Sequence, residues 1–226
     1  MLNPPLTDVE VRVLGSLLEK EVTTPDTYPL SLIALTAACN QTSNREPVMR
    51  LEEGLVGEAV VTLRRRSLVR AIQPSGSRVT KYQHLLGDAL DLDARERALL
   101  GVLMLRGAQT AGELHARTAR LAEFADAADV DATLERLIAR EPQPLVRRLT
   151  RRPGQREVRY AHLLSGDVAD DAPEMPDAVD AARIAPAARA TADGERVAAL
   201  ERTVAELRAE LEALRVQFDA FRAQFQ

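Results

Sequence analysis

The sequence predicts a mainly α chain with small β-hairpins, an α+β class, on three observations. One supersecondary pattern occurs twice in the chain. Each copy reads as three helices closed by a two-stranded hairpin. A heptad seam then ends the chain.

The repeat is visible residue by residue. Leu68-Val69-Arg70-Ala71-Ile72 returns as Leu145-Val146-Arg147-Arg148-Leu149. Val79-Thr80-Lys81-Tyr82-Gln83-His84-Leu85-Leu86 returns, one residue shorter, as Val158-Arg159-Tyr160-Ala161-His162-Leu163-Leu164. Upstream, Leu6 through Gly15 matches Leu92 through Gly101, and Val56, Ala59, Val60 and Leu63 match Val130, Thr133, Leu134 and Leu137. The offset drops from 86 to 74 between the first and third helices, so the first copy carries about a dozen extra residues before its third helix.

In the first copy Thr7 and Glu10 form a capping-box pattern, with Leu6 and Val11 at the staple positions. Leu14, Leu17 and Leu18 share one helical face. A second helix is predicted over about 29–38, with Pro29 in its first turn. A third covers about 51–66, with Leu55, Ala59, Val60 and Leu63 facing inward. Strands over 68–73 and 78–85 flank the turn Pro74-Ser75-Gly76-Ser77. In the second copy, Asp93 with Glu96 and Thr110 with Glu113 repeat the capping box at the starts of helices one and two. Helix three is predicted over 129–140, with Val130, Leu134, Leu137 and Ile138 inward, and Arg151-Arg152-Pro153-Gly154-Gln155 forms the hairpin tip. Three helices ending in a hairpin is the winged-helix variant of helix-turn-helix. The expected layout is a winged-helix domain at 1–87, a second at 88–165, a flexible acidic linker at 166–193 and a coiled-coil helix at 194–226.

Composition agrees with small helical domains. Hydrophobic residues make up 46% of the 226, enough for packed cores, but aromatic residues only 3%, and there is no Trp. That favours Leu, Val and Ala cores over a large sheet sandwich. Apolar runs fall far short of the roughly 18 residues a membrane span needs. The opening Met1-Leu2-Asn3-Pro4-Pro5 has no signal-peptide pattern. Cys39 is the one cysteine, so no intrachain disulfide forms. A cytoplasmic protein with no membrane partner is expected. The net charge of −4 sits in the tail: residues 165–226 carry 7 Lys/Arg against 13 Asp/Glu, whereas the first two thirds is nearly neutral.

Three stretches carry a family likeness. Tyr28-Pro29-Leu30-Ser31-Leu32, then Ala38-Cys39-Asn40-Gln41-Thr42-Ser43-Asn44-Arg45-Glu46-Pro47-Val48-Met49, then Arg78-Val79-Thr80-Lys81-Tyr82 resemble the YceH family of uncharacterised bacterial proteins. The resemblance covers about residues 6–165 and the presence of a C-terminal heptad helix. It implies tandem winged helices and brings no catalytic activity.

The tail reads differently. Residues 166–193 are rich in Ala, Asp and Pro without apolar periodicity, the pattern of a linker. Val197, Leu200, Val204, Leu207, Leu211, Leu214, Phe218, Phe221 and Phe225 then alternate spacings of three and four, an a/d seam over about four heptads. A homodimer is the expected result; a helix folded back on its own domains, or Phe residues inserted into a partner's groove, are the competing readings.

For function, winged helices commonly place helix three in the major groove, with the wing on the backbone. Helix three opens here with Glu52 and Glu53 in one copy and carries Asp129, Asp131 and Glu135 in the other, and carboxylates repel phosphate. Better candidates for double-stranded DNA are Arg147, Arg148, Arg151, Arg152, Arg156 and Arg159 of the second wing, and Gln41, Asn44 and Arg45 after helix two. The competing roles are a solvated hairpin for the wing, and caps or turn-building for the 41–45 segment. Arg64-Arg65-Arg66 reads as compensation of a helix C-terminus or as a phosphate site. His84 and His162 fall at equivalent repeat positions, as packing residues do. His115 stands alone, and the three His with one Cys have no metal-ligand spacing. No glycine-rich phosphate loop or nucleophile elbow occurs. The expectation is a non-enzymatic DNA-binding protein without cofactor, a transcriptional regulator; the alternative is a protein-interaction adaptor.

Overall fold

The computed structural model describes residues 4–74, 76, 78–151 and 157–167. The first repeat runs α1 (Asp8–Thr23), β1 (Leu30–Ser31), α2 (Leu32–Cys39), α3 (Glu53–Arg65), β2 (Val69–Ile72) and β3 (Lys81–His84). A short α4 (Leu86–Leu90) leads into α5 (Ala94–Arg106), β4 (Gln109–Thr110), α6 (Ala111–Thr118), α7 (Ala127–Ile138), β5 (Val146–Arg148) and β6 (Arg159–His162). The chain is therefore α+β, with the second repeat following the element order of the first.

Two antiparallel three-stranded sheets result, ordered β1-β3-β2 and β4-β6-β5. Their registers match: Leu30 pairs with Tyr82 and Gln109 with Tyr160, while Val69 faces His84 and Val146 faces His162. The sequence repeat is thus a repeat of hydrogen-bond register. All three expected capping boxes form, at Thr7/Glu10, Asp93/Glu96 and Thr110/Glu113. Each satisfies two N–H groups that a helix start leaves open. Leu6 and Val11, at the staple positions, are both buried.

The repeats share one core. Helix α1 is buried continuously from Glu10 to Leu18, because α2 and α3 pack on one side and α5 of the other repeat on the other. Gly15 makes the crossing possible: a Cβ there would lie 3.0 Å from Leu105 Cγ and Cδ2. Leu14, Leu17, Leu99, Leu100 and Leu103 of these two helices are fully enclosed, and each such side chain contributes roughly 1.5–3 kcal/mol.

Several expectations need correction. Pro29 does not open a helix; it precedes β1, and α2 begins at Leu32 on the Ser31 cap. Leu55 is 44% exposed, because the apolar stripe of α3 is Val56, Ala59, Val60 and Leu63 and residue 55 falls to its side. Helix α7 starts at Ala127 on the Asp126 cap rather than at 129. Residues 152–156, which include Arg152, Arg156 and all of the expected hairpin tip except Arg151, lie outside the described residues, as do the linker from 168 onward and the whole seam from Val197 to Phe225.

Candidate nucleic-acid interface

The 38–51 segment is held by two buried arginines. Arg12, on α1, donates to the carbonyls of Cys39 (3.2 Å) and Pro47 (2.6 Å). Burial, and then neighbouring Arg45, hold its pKa below the usual arginine value. The Arg45 side chain is wholly enclosed. It grips the Glu19 carboxylate at 3.1 and 2.7 Å, and also donates to the Ala38 and Asn44 carbonyls and to Gln41 Oε1. Burial raises the Glu19 pKa, but the Arg45 bonds outweigh it and hold the carboxyl below its ordinary value. Asn40 clamps Leu51 twice, accepting from its N–H at 2.7 Å and donating to its carbonyl at 2.8 Å. Of the three candidates here, Arg45 therefore faces the core, and Gln41 turns its side-chain oxygen toward Arg45. Asn44, at φ 58°, accepts from Arg106 Nη1 on α5 at 3.1 Å. The Glu46 N–H donates to the Leu105 carbonyl at 2.8 Å. The long loop is thus a fastener between the repeats.

The second hairpin, β5 and β6, is basic but internally engaged. Arg147 meets Asp167 at 2.6 Å. Arg148 pairs with Glu135 of α7 and lies over the Tyr160 ring, 5.7 Å from its centroid. The Tyr160 hydroxyl donates to Asp131 at 2.8 Å. Asp129 binds Arg95 through both oxygens, at 3.1 and 2.9 Å. The three α7 carboxylates that argued against phosphate are therefore each occupied within the repeat. Arg151 is exposed, Arg159 is half-buried on β6, and both have partners.

The first repeat differs at the corresponding surface. Gly57 and Val61 of α3 stand where Asp131 and Glu135 stand in α7, and Arg64 and Arg65 stand where Ile138 and Ala139 do. Ser67, in the left-handed region at φ 57°, reverses the chain so that β2 runs back along α3. Arg70 of β2 then joins Arg64, Arg65 and Val61 around an open groove of about 490 Å³. Among the described residues no carboxylate pairs with Arg64, Arg65 or Arg70. Arg66 turns away, toward Glu10 (3.8 Å) and the Pro4 carbonyl. The sequence signal for this groove was the Arg64–Arg66 run; its partner Arg70 and the missing carboxylates appear only when the two repeats are superposed.

His84 is buried, and His115 and His162 are half-buried. His84 Nε2 lies 3.0 Å from Glu21, and burial keeps its pKa below the ordinary value against the pull of that carboxylate. Burial lowers His162 to about 4, with Asp8 opposing. Among the described residues no three His, Cys, Asp or Glu side chains cluster to hold a metal, and no helix is long and apolar enough to cross a membrane.

Residues 6–155 match the family described as a protein of unknown function, DUF480. The chain belongs to that family. The matched span takes in both repeats as far as the second hairpin, and with them the residues of the Arg12–Arg45 fastener and of the α3–β2 groove.

Proposed function

We propose that this DUF480 chain is a DNA-binding protein of the transcriptional-regulator kind, built from two tandem winged-helix units. Its main backbone contact is the α3–β2 groove of the first repeat. The helix–strand–helix–helix–strand–strand order of each repeat supports the winged-helix reading. The observation that carries the DNA reading is the set of three arginines, Arg64, Arg65 and Arg70, around a groove without a carboxylate partner among the described residues. A phosphate there meets cations it need not share. Contacts of this kind are independent of sequence and sensitive to salt.

The second wing contributes less. Its Arg147 and Arg148 must first release Asp167 and Glu135. Such exposed pairs are worth only about 0–1 kcal/mol, so phosphate can exchange into them. The heptad seam from Val197 to Phe221 supports a dimer, which presents two grooves to one duplex.

The adaptor reading has one observation in its favour. Ile33 of α2 is 70% exposed, Val48 of the following loop 49% and Leu55 of α3 44%. Apolar side chains this open suit a protein partner. Fluorescence anisotropy of a generic duplex at two salt concentrations separates the two. The DNA reading expects a Kd of about 10⁻⁴–10⁻⁶ M that weakens steeply with salt. Absence of binding at low salt leaves the adaptor.

A further inference from the structure

A second cleft lies where the repeats meet, away from the α3–β2 groove. It has about 220 Å³ of space and is built from α1, the Asn44 loop, α5 and the end of α6. Val102, Leu105 and Leu121 supply apolar walls, and Arg106, Arg117 and Arg120 also line it. Of the carboxylates near these cations, one is held from outside the cleft and the other engages only Nη2 of Arg117. Glu19 is held by Arg45 at 2.7 Å, and Glu113 by Arg117 at 3.4 Å. Arg120, exposed on the turn after α6, pairs with no carboxylate among the described residues. Arg117 Nη1 is buried without a hydrogen-bond acceptor among the described residues, and a turn of the guanidinium brings it to the cleft. A buried guanidinium N–H without an acceptor is costly, and an oxyanion is the partner that its charge and donor geometry favour.

We propose that this cleft binds a small organic acid, with its acidic group on Arg117 and Arg120 and its apolar body against Val102, Leu105 and Leu121. The volume falls below the roughly 300–1,000 Å³ of sites for drug-sized molecules, which sets the ligand at metabolite size. An apolar wall beside cations selects a carboxylate with a hydrocarbon body over a bare inorganic anion. Since the walls come from both repeats, the ligand contacts each of them. This site is independent of the DNA reading.

Saturation-transfer NMR with benzoate and hexanoate tests it on the full chain, with inorganic phosphate as the comparison. The expected result is transfer to both organic acids, with at least a tenfold loss of affinity in Arg120→Glu and in Ala116→Trp, which fills the cleft from an exposed position. The Arg64→Gln/Arg65→Gln/Arg70→Gln variant should keep wild-type affinity. Far-ultraviolet circular dichroism verifies that each variant is folded. The proposal is overturned by absence of transfer at millimolar acid, by equal binding in Arg120→Glu, or by phosphate binding as tightly as the organic acids.

Discussion

Replacing Arg45 with Ala should be among the most damaging single changes in the chain. The Arg45 guanidinium is fully enclosed, and Glu19, its ion partner, is only 11% exposed. The substitution removes both bonds to Glu19 and leaves that carboxylate only the weaker contact with Lys20 at 3.5 Å. It also leaves the Ala38 carbonyl without the two donors it now has. Breaking a buried pair by deleting one partner costs about 3–5 kcal/mol, far more than an exposed pair is worth. For a core of this size each kcal/mol lowers Tm by roughly 2–4 °C, so a fall of about 10 °C is expected. Urea unfolding read by circular dichroism measures the loss, and a cycle with Glu19→Ala apportions it. The double variant should recover part of the cost, because it leaves no unpaired charge, giving a coupling of about 1–3 kcal/mol. Below its melting range Arg45→Ala should bind DNA as the wild type does, since the side chain has no exposed surface. A stability loss under about 1 kcal/mol, or DNA affinity lost in a folded variant, would refute this assignment.

Two further outcomes follow from the same packing. His162 has a folded pKa of about 4 against an unfolded 6.5, so the unfolded chain binds more protons between those values. Its contribution is complete above pH 6.5 and drains away as pH falls toward 4, about 2 kcal/mol between pH 8 and 5; His84 shifts the same way, and His162→Phe should flatten the slope seen in urea titrations. The equivalent glycines of the two repeats should part company. Gly15→Ala drives a methyl against Leu105 and should cost about 1–2 kcal/mol, overpacking exceeding the gain in helix propensity. Gly101→Ala meets only Leu18, at Cβ (3.5 Å) and Cδ1 (3.8 Å), which are ordinary contacts, and should stabilise by about 0.5–1 kcal/mol. Thermal melts of the two variants check both signs.

Much of the architecture was legible because its signals are local. Capping boxes at Thr7, Asp93 and Thr110 need only residues three apart, and the inward faces of α1, α3 and α7 follow from 3.6-residue spacing. Strands β1 and β4 were missed because two residues carry no periodicity; their pairing depends on β3 and β6, some fifty residues away. The site was harder to read. Polar residues at 40–46 look alike whether they face solvent or clamp a loop, and only the approach of Glu19 from α1 turns Arg45 inward. Charge runs mislead in the same way. The second wing holds more arginines than the first, yet Glu135 and Asp167 come to it from distant positions. The fewer arginines of the first repeat stand beside Gly57 and Val61, where the other repeat has acids.

The proposed DNA contact places the principal phosphate site on the first repeat rather than on the second wing. Anisotropy titration of one duplex with two variants tests it most directly. One is Arg64→Gln/Arg65→Gln/Arg70→Gln; the other is Arg147→Gln/Arg148→Gln. A loss of at least tenfold and a shallower salt dependence are expected for the groove variant, with only a few-fold loss for the wing variant. Equal affinity of the groove variant and the wild type, or a greater loss from the wing variant, would contradict it.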